Sequence, residues 1–185
     1  MDTTSEDISY LNSEVLLLVS DPEEGERILR LLGAHPNVIK RIAAAGSKSV
    51  GTAIRCGVPL VTFAPRLDEL LSLPSKELHG VSKQEIPAGL RMLTTTALHV
   101  AQRLALIDRT VAQLHFGFTP RVCEILKSLS ISRLLHLSER HGVLLRLRTP
   151  EKAQVWDRLL IGDRCGGPRG FRISQQAGLL SLGNE

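Results

Sequence analysis

The sequence predicts a mainly α-helical protein of two tandem helical units with helix-turn-helix-like portions, each unit ending in a short β-strand. Three observations carry that expectation. Apolar residues make up 43% of the 185-residue chain but aromatics only 3%. Leu, Ile, Val and Ala must therefore fill the interior, which suits helices packed on helices better than a sandwich or barrel. The chain also echoes itself at a spacing of 84 residues. Without a gap, that shift lays Gly33 on Gly117, Pro36 on Pro120, Val38 on Val122, Ile42 on Leu126, Val50 on Leu134, Leu60 on Leu144 and Phe63 on Leu147. Finally, Leu93, Ala97, Val100, Leu104, Ile107, Val111 and Leu114 recur at alternating steps of four and three, an apolar seam of three heptads.

The elements follow in order. In the first unit a helix over Leu11–Val19 is interrupted by Asp21-Pro22, and a second segment runs Glu23–Leu32. The Gly33–Pro36 turn leads to Asn37–Ala45, then a helix over Ser47–Cys56 and an extended Val58–Ala64. Pro, Gly, Ser and Lys from Leu73-Pro74 through Pro87-Ala88-Gly89 read as a linker. In the second unit the seam helix stops at Gly117, where a left-handed C-cap costs least. Thr119 then offers an N-cap oxygen and Pro120 a first-turn residue for a helix to Ser128. Ser130 or Ser132 caps the next helix, which ends near Arg140 before His141-Gly142, and Val143–Arg148 reads as a strand. The expected division is 1–72, a linker at 73–92, a second unit at 93–160 and a tail at 161–185. Glycines and Pro168 among Arg164, Arg169 and Arg172 make that tail irregular.

Charge is unevenly spread. Residues 1–93 carry ten basic and twelve acidic side chains, and residues 94–160 carry ten basic and five acidic. A basic second half is the electrostatic footprint of a nucleic-acid contact, and it is equally compatible with a solvated surface. No run approaches the roughly 18 apolar residues of a membrane span. The acidic start Met1–Asp7 lacks the layout of a secretion signal, so a cytoplasmic chain is expected.

Catalytic and metal signatures are weak. Gly46-Ser47-Lys48-Ser49 lacks the frame of a phosphate-binding loop. The six histidines form no HExxH or other close ligand pattern. Cys56, Cys123 and Cys165 are odd in number and far apart, which argues against a disulfide framework or a cysteine-rich zinc site. No nucleophile elbow appears. Neither an enzyme nor a bound cofactor or metal is expected.

The segment Ala97–Phe118, ALHVAQRLALIDRTVAQLHFGF, with Thr119–Arg148 after it, resembles the FlhD-type subunit of the flagellar master transcriptional regulators. The resemblance rests on Ala101-Gln102-Arg103-Leu104, Asp108, Ala112 and Gly117, then Leu129-Ser130, Leu134, Leu137 and Leu144. The first unit matches only by echo: Val15–Val19 has no AQRL, and Pro22 departs from the pattern. The resemblance implies a bacterial transcription activator, with RNA polymerase as a further contact. It would act as a homo- or hetero-oligomer with an FlhC-like or FlhD-like partner. An FlhC-type partner would carry a four-cysteine zinc site, for which this chain has no cysteine cluster. Tandem, diverged forms also look like small regulators carried on mobile elements.

The residues support part of this independently. A short turn after Phe116-Gly117, then two helices, has helix-turn-helix proportions. If the second helix enters a groove, Arg133 and Arg140 are the candidate base readers, with Arg121 and Lys127 on phosphates. Lys40, Arg41 and Lys48 are the counterparts in the first unit. Each taken singly reads first as a solvated helix residue. Val100, Leu104, Ile107 and Val111 on the seam are the candidate oligomer contact, or core. The expected function is a DNA-associated activator or co-activator, and the alternative is a protein–protein interaction module without DNA contact.

Overall fold

Helix ends set by caps and turns divide the chain into short helices. The computed structural model describes residues 3–21, 23–45, 47–72, 85–141 and 143–161, which contain ten helices and two short strands. The mainly α class expected from the sequence holds. The chain forms two compact units, Met1–Val61 with Leu147–Glu185, and Thr62–Arg146.

The first unit holds α1 (Thr3–Val19), α2 (Gly25–Leu31), α3 (Pro36–Ala43), α4 (Ser47–Ile54) and α10 (Ala153–Ile161). Helix α1 buries Ile8, Leu11, Asn12, Val15, Leu16 and Val19, spaced at three and four so that one stripe faces the core. It packs on α2 and α4, while α10 packs on α3 and α4. The buried Asn12 donates through Nδ2 to the carbonyls of Val58 (2.9 Å) and Ile54 (3.3 Å) and accepts from the Leu60 N–H (2.8 Å). One side chain thus satisfies the backbone of the irregular segment after α4, which would otherwise bury unpaired groups. Trp156 on α10 is buried and donates through Nε1 to the Thr149 carbonyl at 3.3 Å.

The second unit holds α5 (Arg66–Ser72), α6 (Ala88–Ile107), α7 (Arg109–Phe116), α8 (Pro120–Ser128) and α9 (Ile131–Arg140). Helix α6 is its centre and packs on α7, α8 and α9, with α5 against α8. Strands β1 (Val61–Phe63) and β2 (Leu145–Leu147) form a two-stranded sheet. The Ala64 N–H donates to the Leu144 carbonyl, and the Arg148 N–H to the Leu60 carbonyl, both at 2.8 Å.

Elements recur at the 84-residue spacing. Adding 84 to α2 gives 109–115, to α3 gives 120–127 and to α4 gives 131–138, against α7, α8 and α9; β1 lands on β2. Burial recurs too: Val38, Ile39 and Ile42 in α3 correspond to Val122, Cys123 and Leu126 in α8.

Three expectations change. The seam Leu93–Leu114 is not one helix, because Asp108 is extended (φ −152°, ψ 115°) and its carboxylate accepts the Thr110 N–H at 2.7 Å, capping a new helix. Helix α6 begins at Ala88, inside the expected 73–92 linker, and residues 73–84 lie outside those described. The compact units also do not follow divisions at 72 and 93: α5 packs on α8, and α10 joins α3 and α4. Helix α10 was not anticipated; it includes Ile161 of the expected 161–185 tail, and the rest of that tail lies outside the described residues.

Candidate nucleic-acid interface

The strongest candidate surface is built by α7, α8 and α9, and its geometry comes from polar residues at helix ends. Gly117 ends α7 in the left-handed region (φ 72°), and its N–H returns to the Gln113 carbonyl at 2.8 Å. Phe116, Phe118 and Phe63 cluster under this turn with ring centroids 5.3–5.4 Å apart. The Thr62 hydroxyl donates to the Phe116 carbonyl at 3.1 Å. Thr119 then caps α8 by accepting the Val122 N–H at 3.3 Å, with Pro120 in its first turn. At the other end of α8, Gln102 Nε2 on α6 donates at 2.8 Å to the Leu129 carbonyl and to the Leu126 carbonyl, which also accepts the Leu129 N–H at 3.2 Å, so the last carbonyls of the helix are satisfied. Ser130 caps α9 through the Arg133 N–H at 3.3 Å. Ser138 on α9 bonds Thr95 on α6 at 2.7 Å. The two-residue Leu129-Ser130 connection is therefore held at both sides.

The expected cations fall unevenly on this frame. Arg121 is exposed in the first turn of α8, and among the described residues no carboxylate pairs with it. Lys127 is half-buried and pairs with Glu124 at 3.1 Å. Arg109, at the start of α7, approaches the same carboxylate at 3.8 Å. Sequence reasoning missed Arg109 because it lay inside an unbroken seam; the signal was the Asp108 cap just before it. Arg133 is half-buried on α9, a poor posture for reaching a groove unless it extends. The side chain of Arg140 lies outside the described residues, as does that of Lys48.

In the first unit Lys40 is exposed on α3, and Arg41 pairs with Asp157 of α10 at 3.2 Å. The four seam residues also separate. Val100 and Leu104 are buried in the second unit's core, Val111 is half-buried, and Ile107 is 56% exposed. Val100 and Leu104 are therefore unavailable to a partner in this conformation, buried on the helix that packs against α7, α8 and α9. The exposed apolar residues of this unit are instead Met92, Leu106, Ile107, Leu114, Ile131 and Leu135.

Reactive groups are scarce. Burial pushes the Cys56 thiol up, outweighing the opposing influence of the backbone at Val58 and of the Arg148 charge. The buried Cys123 thiol is likewise pushed up, first by desolvation. Both are poor thiolates, as expected of cysteines acting as small apolar residues. Among the described residues no group of three His, Cys, Asp or Glu side chains could hold a metal ion, and no helix is long and apolar enough to cross a membrane.

Comparison with known families places the chain among transcriptional regulators. The family model of the flagellar transcriptional activator FlhD matches residues 81–175, more than half of the chain. The chain belongs to the FlhD family. Neither a curated protein nor a solved structure matches it. Of the residues that carried the resemblance, Gln102, Asp108, Gly117 and Ser130 build the helix ends of α7, α8 and α9.

Proposed function

We propose that the chain is a DNA-associated activator or co-activator built from two tandem FlhD-like units. It acts in a homo- or hetero-oligomer with an FlhC-like or FlhD-like partner. The observation that carries this reading is the α7–α8–α9 frame, which lies within the matched region and presents Arg121 and Arg109 at the starts of two helices. Basic side chains at helix N-termini suit phosphate contact, since backbone N–H groups there also favour anions. RNA polymerase contact and carriage on a mobile element belong to the same reading.

The test is DNA binding by the purified chain across a salt series, with and without an FlhC-type partner. Direct contact predicts affinity falling with salt, and a slope reduced by about one for each phosphate-contacting cation removed. Arg121→Ala with Arg109→Ala should flatten that slope. An unchanged slope in the double variant would remove this surface from DNA contact.

A second reading is favoured by the six exposed large apolar side chains on α6, α7 and α9. It makes the chain an interaction module whose partner contacts DNA. Met92→Asp with Leu135→Asp would then abolish partner capture while isolated-chain DNA binding is absent from the start.

A further inference from the structure

The 84-residue echo and the compact units divide the chain differently. The first repeat runs α1, α2, α3, α4, β1, α5 and the second α6, α7, α8, α9, β2, α10. The last helices match in pattern: α5 buries Leu67, Leu70 and Leu71, and α10 buries Trp156, Leu159 and Leu160, each at i, i+3, i+4. Yet α5 belongs to the unit containing the second repeat's α8, and α10 to the unit containing the first repeat's α3 and α4. Helices α3 and α8 are themselves equivalents.

The backbone hydrogen bonds follow the same exchange. The Ala64 N–H bonds the Leu144 carbonyl within one unit, and the Arg148 N–H bonds the Leu60 carbonyl within the other. Ala64 and Arg148 are 84 residues apart, as are Leu60 and Leu144, so the two bonds are one bond with the repeats interchanged. The carbonyls of Leu32 and Phe116, another equivalent pair, are each closed by the other repeat, through the Leu147 N–H and the Thr62 hydroxyl. Reciprocal contacts of this kind are what an isologous dimer makes between two copies of one chain.

We infer that the faces of α3–α4 and of α8 are helix-docking surfaces that the two repeats of one chain fill reciprocally with their last helices. The chain is thus a covalently joined counterpart of a helix-exchanged dimer. The inference rests on the tandem reading above. The occupant of both faces is the last helix of the same chain, with a second copy's helix as the competing occupant. A partner therefore meets one chain where two single-repeat subunits would otherwise stand.

The test uses the full-length chain with a specific protease site inserted in residues 73–84. After cutting, the two fragments are expected to co-elute under native conditions as one species the size of the intact chain, about 20 kDa. Separate elution would overturn the inference. A second version carries Arg41→Cys and Asp157→Cys on a Cys165→Ser background, at the ion pair that joins α3 to α10, to be bridged by a cleavable bis-thiol cross-linker that replaces the reach of the arginine. When it is cross-linked, cut and denatured, the fragments should stay linked at the mass of one chain and part when the cross-linker is cleaved. Fragments that part with the cross-linker intact while also eluting separately would place α10 elsewhere. A cross-linked species of two-chain mass before cutting would assign the exchange to separate copies and overturn the self-contained reading. None of these outcomes depends on DNA, so a failed salt series and a failed exchange are told apart.

Discussion

The helices α1–α4 and α6–α9 share a buried pattern and differ at their junctions and surfaces. On α1 the buried positions Ile8, Leu11, Asn12, Val15, Leu16 and Val19 repeat on α6 as Leu90, Leu93, Thr94, Ala97, Leu98 and Ala101. After α1 the chain spends Ser20–Glu24 before α2, whereas Asp108 alone separates α6 from α7. Outward, α1 exposes Tyr10 and Leu17 in an acidic segment, while the second set exposes six large apolar residues beside Arg109 and Arg121. Core spacing is constrained by helix geometry, because a buried stripe tolerates exchange of one apolar residue for another but not a change of period. The surfaces carry no such constraint, and there the second set concentrates exposed apolar and basic side chains.

The largest break in this parallel is expected at the last helices. Trp156→Ala on α10 removes the largest buried side chain and its bond to Thr149, and should cost about 4 kcal/mol in denaturant unfolding. Leu70→Ala on α5 should cost about 3 kcal/mol. If the first substitution costs under about 1 kcal/mol, α10 does not complete the first unit's core.

The buried polar position on the opening helix sharpens the contrast. Asn12 holds three backbone groups, whereas its counterpart Thr94 bonds only the Leu90 carbonyl one turn back, at 2.8 Å. Asn12→Ala strands the Leu60 N–H and leaves the Val58 carbonyl with only the Cys56 thiol as donor, and should cost about 2 kcal/mol; Thr94→Ala should cost about 1 kcal/mol or less. Equal losses at the two sites, measured by urea denaturation, would show that the clamp around residues 54–60 does not matter to the fold.

Much of this architecture is legible in sequence because turns have their own chemistry. Gly33 and Gly117, with Pro36 and Pro120 three residues on, mark the C-caps and following first turns, and both glycines take positive φ (80° and 72°). Replacing either with Ala should cost about 1 kcal/mol, because a Cβ there is strained although nothing crowds it. The seam was misread for a physical reason. Ile107, Val111 and Leu114 keep heptad spacing through Asp108, yet periodicity cannot register that an aspartate may cap a new helix. Leu114 consequently faces outward, 54% exposed. The helix exchange was illegible because an internal echo says which residues are equivalent, not which repeat's core each helix completes. In the candidate interface, residue type announced the cations, but only the fold shows Glu124 between Arg109 and Lys127, and Arg41 committed to Asp157.

Thr149, in the chain that leads from β2 to α10, sharpens the comparison in the opposite direction. It is the one non-glycine residue with positive φ (50°) among those described, and a β-branched side chain is ill suited to that region. Its backbone still serves Trp156 through the carbonyl. Thr149→Gly should therefore stabilise the chain, by up to about 1 kcal/mol, since relief of strain exceeds the added entropy of the unfolded state. A destabilised variant would mean that the Thr149 side chain contributes more than its backbone strain costs.

The smallest effect expected lies at the junction that only the first set has. Asp21 accepts the N–H groups of Glu24 (2.7 Å) and Glu23 (2.8 Å), and these bonds, Glu24's foremost, hold its carboxyl below the ordinary carboxylate value. A depressed carboxyl stabilises the fold above its unfolded pKa, near pH 4, and that contribution disappears as pH falls through the lower folded value. Asp21→Asn keeps an acceptor oxygen but removes the charge. The denaturation midpoints of wild type and variant should therefore differ slightly at pH 7 and converge as pH falls through the lowered folded value. Because the group is fully exposed, added salt should shrink the neutral-pH difference further. A gap that instead widens in acid would mean that the Asp21 carboxylate does not hold the turn between α1 and α2.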